Sequence, residues 1–329
     1  MKGEQEYKNQ YENKIKRILE DNKDKDYIEG FYYYTCSSNL NGLSSSYNYL
    51  LSVLRFLANR GKDIDKLNLD DYTIYMNMIQ DKSSSYKITT YSALKKFSEY
   101  LYATKRNELN PMQYISRPKK KESIETKEKR DKGYLTKNEI KKYINTVNSG
   151  SGSSRAKARQ EQWKERDLAI ITLLLDTGLR CSGLYKLDLS SIDLENHILT
   201  TVEKGGKIKK EKISENVINV LFDWIIKREI ILDGKEEDAL FISNRKERLT
   251  QKGISDVVKK YAKQFDNKNI TPHKLRATYA TSLYNASKDI KFVKRKMGHS
   301  NISTTELYIR GQEEEYDPSA EIMGNIIPV

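Results

Sequence analysis

The chain has 329 residues, a length that suits two domains of ordinary size. Charged residues make up 32% of it and hydrophobic residues 37%, and we find neither an apolar run of membrane-spanning length nor an N-terminal export signal, so we expect a cytoplasmic protein with no membrane partner. A net charge of +13 favours a polyanionic partner such as DNA or RNA, and two cysteines are too few for a disulfide framework or a cysteine-built zinc site.

The first hundred residues carry helical periodicity and no strand signal. Apolar residues recur near a 3.6-residue period at about 7–19, 44–59, 69–79 and 84–103, as amphipathic helices require. Asn68 is placed to cap the third of these helices. We therefore predict a small all-helical domain over residues 1–110.

The character of the chain changes after this helical region. Asn110-Pro111 and Arg117-Pro118 are helix-breaking pairs, and the following run is rich in lysine. We predict an exposed basic linker over residues 111–132, and the stretch 101–132 carries a net charge of +5. Its candidate DNA-binding residues are Arg117, Lys119, Lys120 and Lys121.

The second predicted domain, residues 133–310, is mostly helical with a small antiparallel sheet. Thr136 and Glu139 form a capping-box pattern, and residues 148–159 look loose because they are rich in Gly, Ser, Lys and Arg. An apolar helix over residues 167–176 ends near Gly178. Two strand patterns, 198–202 and 208–213, flank Lys204-Gly205-Gly206-Lys207, which is a hairpin signal.

Four short motifs lie in this second region. They are TGLR ending at Arg180, a lysine at position 204 on the Gly-Gly hairpin, HKLR from His273 to Arg276, and GHSNISTTELY with His299 and Tyr308. Together, with their spacings, they resemble the tyrosine recombinase (phage integrase) family, and most of all its compact Xer-type members. The resemblance implies an all-α, SAM-like core-binding domain followed by a recombinase catalytic domain.

The resemblance also implies a reaction and a nucleophile. Tyr308 would attack a DNA phosphodiester, form a covalent 3′-phosphotyrosine and release a 5′-hydroxyl. Because the bond energy is conserved in that link, the reaction needs neither ATP nor a metal ion, and we expect no cofactor.

The remaining motif residues would assist the phosphoryl transfer. Arg180 and Arg276 would bind the non-bridging phosphate oxygens, since a planar guanidinium pairs with phosphate in a bidentate way. His273 would accept the tyrosine proton, and His299 would support the phosphate or the proton transfer. Lys204 would protonate the leaving oxygen.

Some assignments on and near the hairpin stay open. Lys207 is an alternative to Lys204 as the proton donor, and Lys207 and Lys209 are also candidate DNA contacts. His197 fits no motif and is interpreted as a surface residue.

One position departs from the family pattern. An acidic residue usually stands three positions after the first arginine, and here that position is Gly183. Either Arg180 lacks this support, or Asp188 or another carboxylate supplies it.

The leading functional hypothesis is a site-specific recombinase for integration and excision, chromosome-dimer resolution or inversion. Its partners would be duplex DNA carrying a specific site and further copies of itself, a dimer on one site and a tetramer in the synapse. The alternatives are a nicking-closing enzyme of the type IB topoisomerase kind and a DNA-binding regulator without catalysis. The acidic, then apolar tail, residues 311–329, would dock on a neighbouring protomer.

Overall fold

The computed structural model describes residues 2–20, 24–37, 43–59, 61–119, 133–202, 208–265 and 269–298. These residues divide into two compact units, one within 5–123 and one within 124–329, and residues 2–4 are grouped with the latter. Within the described ranges, no helix has the length and apolar character needed to cross a membrane.

The first unit consists of helices and short connections. Its α-helices are α1 (Lys2–Glu20), α2 (Lys25–Ser37), α3 (Leu43–Ala58), α4 (Leu69–Met78) and α5 (Ser84–Ala103). Helix α2 was not predicted, because its run of aromatic residues shows no clear helical period. Its Phe31 is fully buried and packs edge-on against Phe97 of α5 at 5.3 Å between ring centroids.

Local signals set the ends of these elements. The Asn68 side chain accepts the backbone N–H of Asp71, and the Asp71 carboxylate accepts the N–H of Asn68, which confirms the predicted cap. Beyond residue 110, Met112 is fully buried in the aromatic core of this unit, and Ile115 packs against that core. The Tyr91 hydroxyl donates to Ile115 O at 2.9 Å, so the unit includes the first residues of the predicted linker.

The second unit is helical around a small sheet, as predicted. Its α-helices are α6 (Lys137–Ser149), α7 (Ser154–Glu161), α8 (Lys164–Thr177), α9 (Cys181–Tyr185), α10 (Glu215–Leu232), α11 (Gln251–Lys260), α12 (Pro272–Ser287) and α13 (Ile290–Met297). Helix α8 packs against α6, α10 and α12, and Ala169, Ile170, Leu173 and Leu174 on it are completely buried. The capping box of Thr136 and Glu139 opens α6.

The sheet has three antiparallel strands in the order β1-β2-β3. Strands β1 (Ile192–Asp193), β2 (Ile198–Val202) and β3 (Ile208–Lys212) form it, with Thr200 opposite Lys210. The two strands of the predicted hairpin therefore pair as expected, while its Gly-Gly turn lies outside the described residues. The two-residue strand β1 is an addition that is too short to leave a sequence pattern.

The segment predicted to be loose contains a helix. Gln160 and Ser151 are both buried, and they exchange two hydrogen bonds: Ser151 N donates to Gln160 Oε1 at 2.8 Å and Gln160 Nε2 donates to Ser151 O at 2.7 Å. This closure ties the last turn of α7 to the segment before the helix, and Ser153 caps its first turn. Arg155, Lys157 and Arg159 are exposed on α7.

A buried carboxylate joins helices α8 and α11. Asp167 is fully buried and accepts from Arg166 Nη2 at 2.8 Å and from the Tyr261 hydroxyl at 2.9 Å. The Lys260 ammonium pairs with Asp167 Oδ2, the oxygen that also accepts from the Tyr261 hydroxyl. Arg166 also donates to Ile242 O at 3.0 Å, so this cluster ties the start of α8 to two distant parts of the chain.

Candidate functional site

The first arginine motif is formed by the end of α8. Gly178 ends the helix in the left-handed conformation with φ +61°, and a Cβ at this position would stand 2.3 Å from Cδ1 of Tyr279. Only glycine satisfies both the backbone angle and the close approach. Two residues later, Arg180 stands at the N-cap position of α9 and is exposed.

The second arginine motif is the first turn of α12. Thr271 caps this helix by accepting the N–H of Lys274, and Pro272 occupies a first-turn position that needs no N–H donor. His273 and Arg276 are three residues apart, so they lie on neighbouring parts of one helix face. His273 is exposed, whereas Arg276 is 6% exposed.

Arg276 joins the two motifs through backbone carbonyls. Its Nη1 donates to Gly178 O, and its Nη2 donates to Met297 O at 2.5 Å. The guanidinium thus connects the end of α8, the start of α12 and the end of α13. Two of its five donors are engaged in this way, which fixes the plane of the group.

The electrostatic surroundings of His273 favour the neutral imidazole. Burial of part of the ring lowers its pKa from the ordinary value, and the guanidinium groups of Arg276 and Arg180 lower it further. These effects place Arg180, His273 and Arg276 in one electrostatic environment. A neutral imidazole under the influence of two guanidinium groups can accept a proton while the guanidinium groups bind an anion.

Lys209, predicted as a DNA contact, is partly buried and has its ammonium group against two oxygen atoms of the protein. Nζ lies 2.7 Å from Lys296 O and 2.7 Å from Glu211 Oε1. Lys296 O and Met297 O are adjacent carbonyls at the end of α13, so Lys209 and Arg276 hold the same helix end.

The position that departs from the family pattern has room for a side chain. A Cβ at Gly183 would meet only Leu179 Cδ2, at 3.5 Å. Asp188 does not replace the missing carboxylate, because its Oδ1 lies 2.7 Å from Arg248 Nη2 and both residues are buried. The expectation that Asp188 supports Arg180 is therefore not borne out, and Arg180 either lacks this support or receives it from another carboxylate.

Several predicted residues lie outside the described part of the chain. They are Tyr308, His299, Lys204, Lys207, Lys120 and Lys121. Of the remaining candidate DNA contacts, Arg117 and Lys119 are exposed in the first unit. His197 is only partly buried in the turn between β1 and β2 and has φ +55°.

Two residues near the arginines were missed by the sequence analysis. Tyr279 is one turn of α12 beyond the HKLR motif, packs over Gly178, and has its pKa raised to about 12, chiefly by burial. Cys181 follows Arg180 and is partly buried; its Sγ is 3.4 Å from Gln251 O, and burial raises the pKa of the thiol to about 11. The i+3 spacing of Tyr279 from Arg276 was the available signal.

Acidic, cysteine and histidine side chains show no metal-binding grouping of three or more within the described ranges.

Comparison with known proteins identifies relatives of the second unit and of most of the chain. The model of the Phage integrase family matches residues 133–315, a range that includes every predicted catalytic residue. The chain is 33% identical to the tyrosine recombinase XerC of Caldanaerobacter subterraneus over 253 residues, covering 74% of this chain and 65% of that protein. It is 29% identical to the tyrosine recombinase XerS of Streptococcus uberis, covering 74% and 75%.

The first of these alignments spans slightly less than two thirds of its relative's length.

Solved structures of other proteins are similar to this chain in fold. The XerH site-specific recombinase bound to a palindromic difH substrate matches with a TM-score of 0.65 at 21% identity, covering 86% of this chain and 81% of that one. A lambda integrase dimer bound to a core site matches with a TM-score of 0.61 at 16% identity, covering 89% and 97%.

Proposed function

This chain belongs to the phage integrase family, and from that membership we propose that it is a site-specific DNA recombinase acting through a covalent phosphotyrosine. The observation that supports this most is the joining of two sequence-distant motifs by Arg276. Its hydrogen bonds to Gly178 O and Met297 O bring HKLR beside TGLR, and His273 lies in the field of both arginines.

In the proposed cleavage step, Tyr308 Oη attacks phosphorus and forms the new P–O bond, while its proton passes to His273. The bond to the 5′ oxygen breaks, and that oxygen takes a proton from Lys204, or from Lys207, and leaves as a hydroxyl. Rejoining is the reverse step, with the 5′-hydroxyl of the same strand or of a partner strand as the attacking group.

Arg180 and Arg276 would stabilise the negative charge that develops on the phosphate oxygens during cleavage. Arg180 is exposed at the start of α9, so its guanidinium is available to a DNA phosphate oxygen. Arg276 is preorganised by its carbonyl partners and would need no rearrangement when substrate arrives, which is how such groups stabilise a transition state most effectively. His299 would add a hydrogen bond to the same phosphate.

Covalent trapping tests this proposal. A binding sequence is first selected from a randomised duplex pool with the Tyr308→Phe variant, and a nicked duplex carrying it is then incubated with each protein. We expect wild type to form a denaturation-resistant protein–DNA adduct and Tyr308→Phe to form none. DNA binding without any wild-type adduct would reject the enzyme and favour the regulator.

The same proteins separate a recombinase from a nicking-closing enzyme. Two differently labelled duplexes carrying the selected sequence should yield a Holliday junction and exchanged products. Relaxation of supercoiled DNA with no junction between the two duplexes would instead favour the topoisomerase-like alternative.

We further propose that copies of the chain assemble on DNA, as a dimer on one site and a tetramer in the synapse. The tail supports this proposal by its composition: residues 311–329 carry a charge of −5 and then an apolar stretch, which suits a protein surface better than DNA. A chain ending at Gly311 should bind single sites but lose cooperative synapsis. Unchanged cooperativity would reject docking by the tail.

A further inference from the structure

The ammonium group of Lys209 is held between two oxygen atoms of the protein. One is Lys296 O at 2.7 Å and the other is Glu211 Oε1 at 2.7 Å, with the Glu211 side chain 7% exposed. A lysine that serves a DNA phosphate presents its ammonium to solvent as a point charge. Lys209 instead directs that charge at the end of a helix.

Two cations converge on this helix end. The last carbonyls of a helix have no intrahelical partner and carry partial negative charge, so cations stabilise them. At the end of α13, Lys296 O accepts from Lys209 of β3 and Met297 O accepts from Arg276 of α12 at 2.5 Å. Strand β3 and helix α12 are therefore each attached to the end of α13 by a side chain.

We infer that Lys209 is a positioning residue, which fixes the end of α13 and thereby the guanidinium plane of Arg276, and that it is not a DNA contact. The inference rests on the proposed function only where Arg276 is assigned to the phosphate. If α13 shifts, Met297 O moves with it, and the orientation that this carbonyl gives to the Arg276 guanidinium changes. A displacement of about 1 Å in such a group can lower a rate on the order of a hundredfold.

His273 reports on this arrangement without any DNA. Burial, Arg276 and Arg180 lower its pKa, in that order. If the Arg276 guanidinium turns away, the pKa of His273 should rise toward its ordinary value. The chain has three histidines, so its imidazole signals in NMR can be assigned by substitution, and His197 in the turn before β2 serves as an internal reference.

The test compares Lys209→Met, which keeps the aliphatic stem, with Lys209→Arg, which restores a donor. Lys210→Met is the matched control, because Lys210 is the next residue on β3 and is exposed. Adduct formation is measured on the nicked duplex at saturating DNA. We expect Lys209→Met to be at least about tenfold slower, Lys209→Arg to recover most of the rate, and Lys210→Met to equal wild type.

Two further measurements separate positioning from DNA contact. For Lys209→Met we expect an unchanged Kd and an unchanged salt slope, together with a raised pKa of His273 in the DNA-free protein. A salt slope smaller by about one, with the rate at saturating DNA and the pKa of His273 unchanged, would identify a phosphate contact and overturn the inference.

Recombinase activity and the positioning role of Lys209 are tested by separate measurements. If wild type forms no adduct, the recombinase proposal fails, and the pKa of His273 in Lys209→Met still decides whether Lys209 positions Arg276. If Lys209→Met does not fold, Glu211→Gln weakens the same anchor while keeping the lysine. It should then give smaller changes in rate and pKa in the same directions; no change in either would overturn the inference.

Discussion

At the residue scale, backbone oxygens organise the candidate site as much as charged side chains do. Arg276 is oriented by Gly178 O and Met297 O, which belong to residues 98 positions before and 21 positions after it. The sequence motifs predicted which side chains take part. They could not predict these carbonyl partners, because every residue has a carbonyl and only the packing of α8, α12 and α13 selects two of them.

Arg276→Lys tests this orientation. A lysine keeps the charge but cannot donate to two carbonyls in a fixed plane and still face a phosphate. We expect adduct formation at saturating DNA to fall by about a hundredfold, the size of the loss of one preorganised donor. Arg245→Lys, at an exposed position, is the control and should match wild type; an equal rate in Arg276→Lys would contradict the orienting role.

The lowered pKa of His273 predicts how the cleavage rate depends on pH. In the proposed mechanism the neutral imidazole accepts the tyrosine proton, so the rate should rise with pH as His273 loses its proton and then become constant. Because burial and two guanidinium groups lower its pKa from 6.5, the midpoint of this rise should lie below pH 6.5. The profile is measured as single-turnover adduct formation at subsaturating DNA, where the pH dependence reports the pKa of the DNA-free protein.

Two variants control the assignment of that midpoint. His197→Gln should keep it, whereas His273→Gln should remove it together with most of the rate. A midpoint at or above 6.5 in the wild type would contradict the electrostatic argument.

At the element scale, the sequence predicted what local signals determine. The caps at Asn68 and Thr136, the pairing of β2 with β3 and the end of α8 at Gly178 all depend on residues close to one another in the chain. Helix α7 was missed because the composition of residues 148–159 resembles a loop. What forms it there is the closure between Ser151 and Gln160, a contact that composition does not reveal.

Gly178→Ala tests whether the end of α8 requires glycine at this position. The substitution combines a positive φ with a Cβ 2.3 Å from Tyr279, so we expect a loss of about 2–3 kcal/mol in the free energy of unfolding and a large loss of adduct formation. Gly234→Ala is the matched control, since its φ is +80° and nothing lies within 4 Å. Gly234→Ala should lower the free energy of unfolding by about 1 kcal/mol and keep the cleavage rate. If urea unfolding shows equal losses for the two variants, the Tyr279 side chain moves aside to make room for the added Cβ.

Asp167→Asn tests the cluster at the start of α8. The change leaves Arg166 and Lys260 without the carboxylate that faces them both, and removing one partner of a buried ion pair typically costs about 3–5 kcal/mol. Urea unfolding of the full chain measures this loss. Asp223→Asn, on the exposed face of α10, should change the free energy of unfolding by less than about 0.5 kcal/mol, and a similar small change in Asp167→Asn would contradict the joining role.

At the scale of the whole molecule, positive charge is distributed unevenly. Residues 1–100 carry a net charge of +1, residues 101–132 carry +5, and residues 133–310 carry +12. DNA binding should therefore depend steeply on salt, with affinity falling about 10³–10⁵-fold between about 50 and 200 mM if six to ten phosphates are contacted. A salt titration by fluorescence anisotropy on the selected duplex measures the slope, and a flat response would contradict binding through phosphates.

The thiol beside Arg180 gives the molecule a useful chemical property. With a pKa of about 11, Cys181 is ionised in only about one molecule in ten thousand at neutral pH, and the thiolate is the form that reacts with alkylating reagents and peroxides. Electrophilic labels should therefore leave the neighbourhood of Arg180 unmodified. A cysteine introduced at an exposed position such as Lys210 would accept a fluorophore selectively over Cys181, once the other native cysteine, the partly buried Cys36, is replaced.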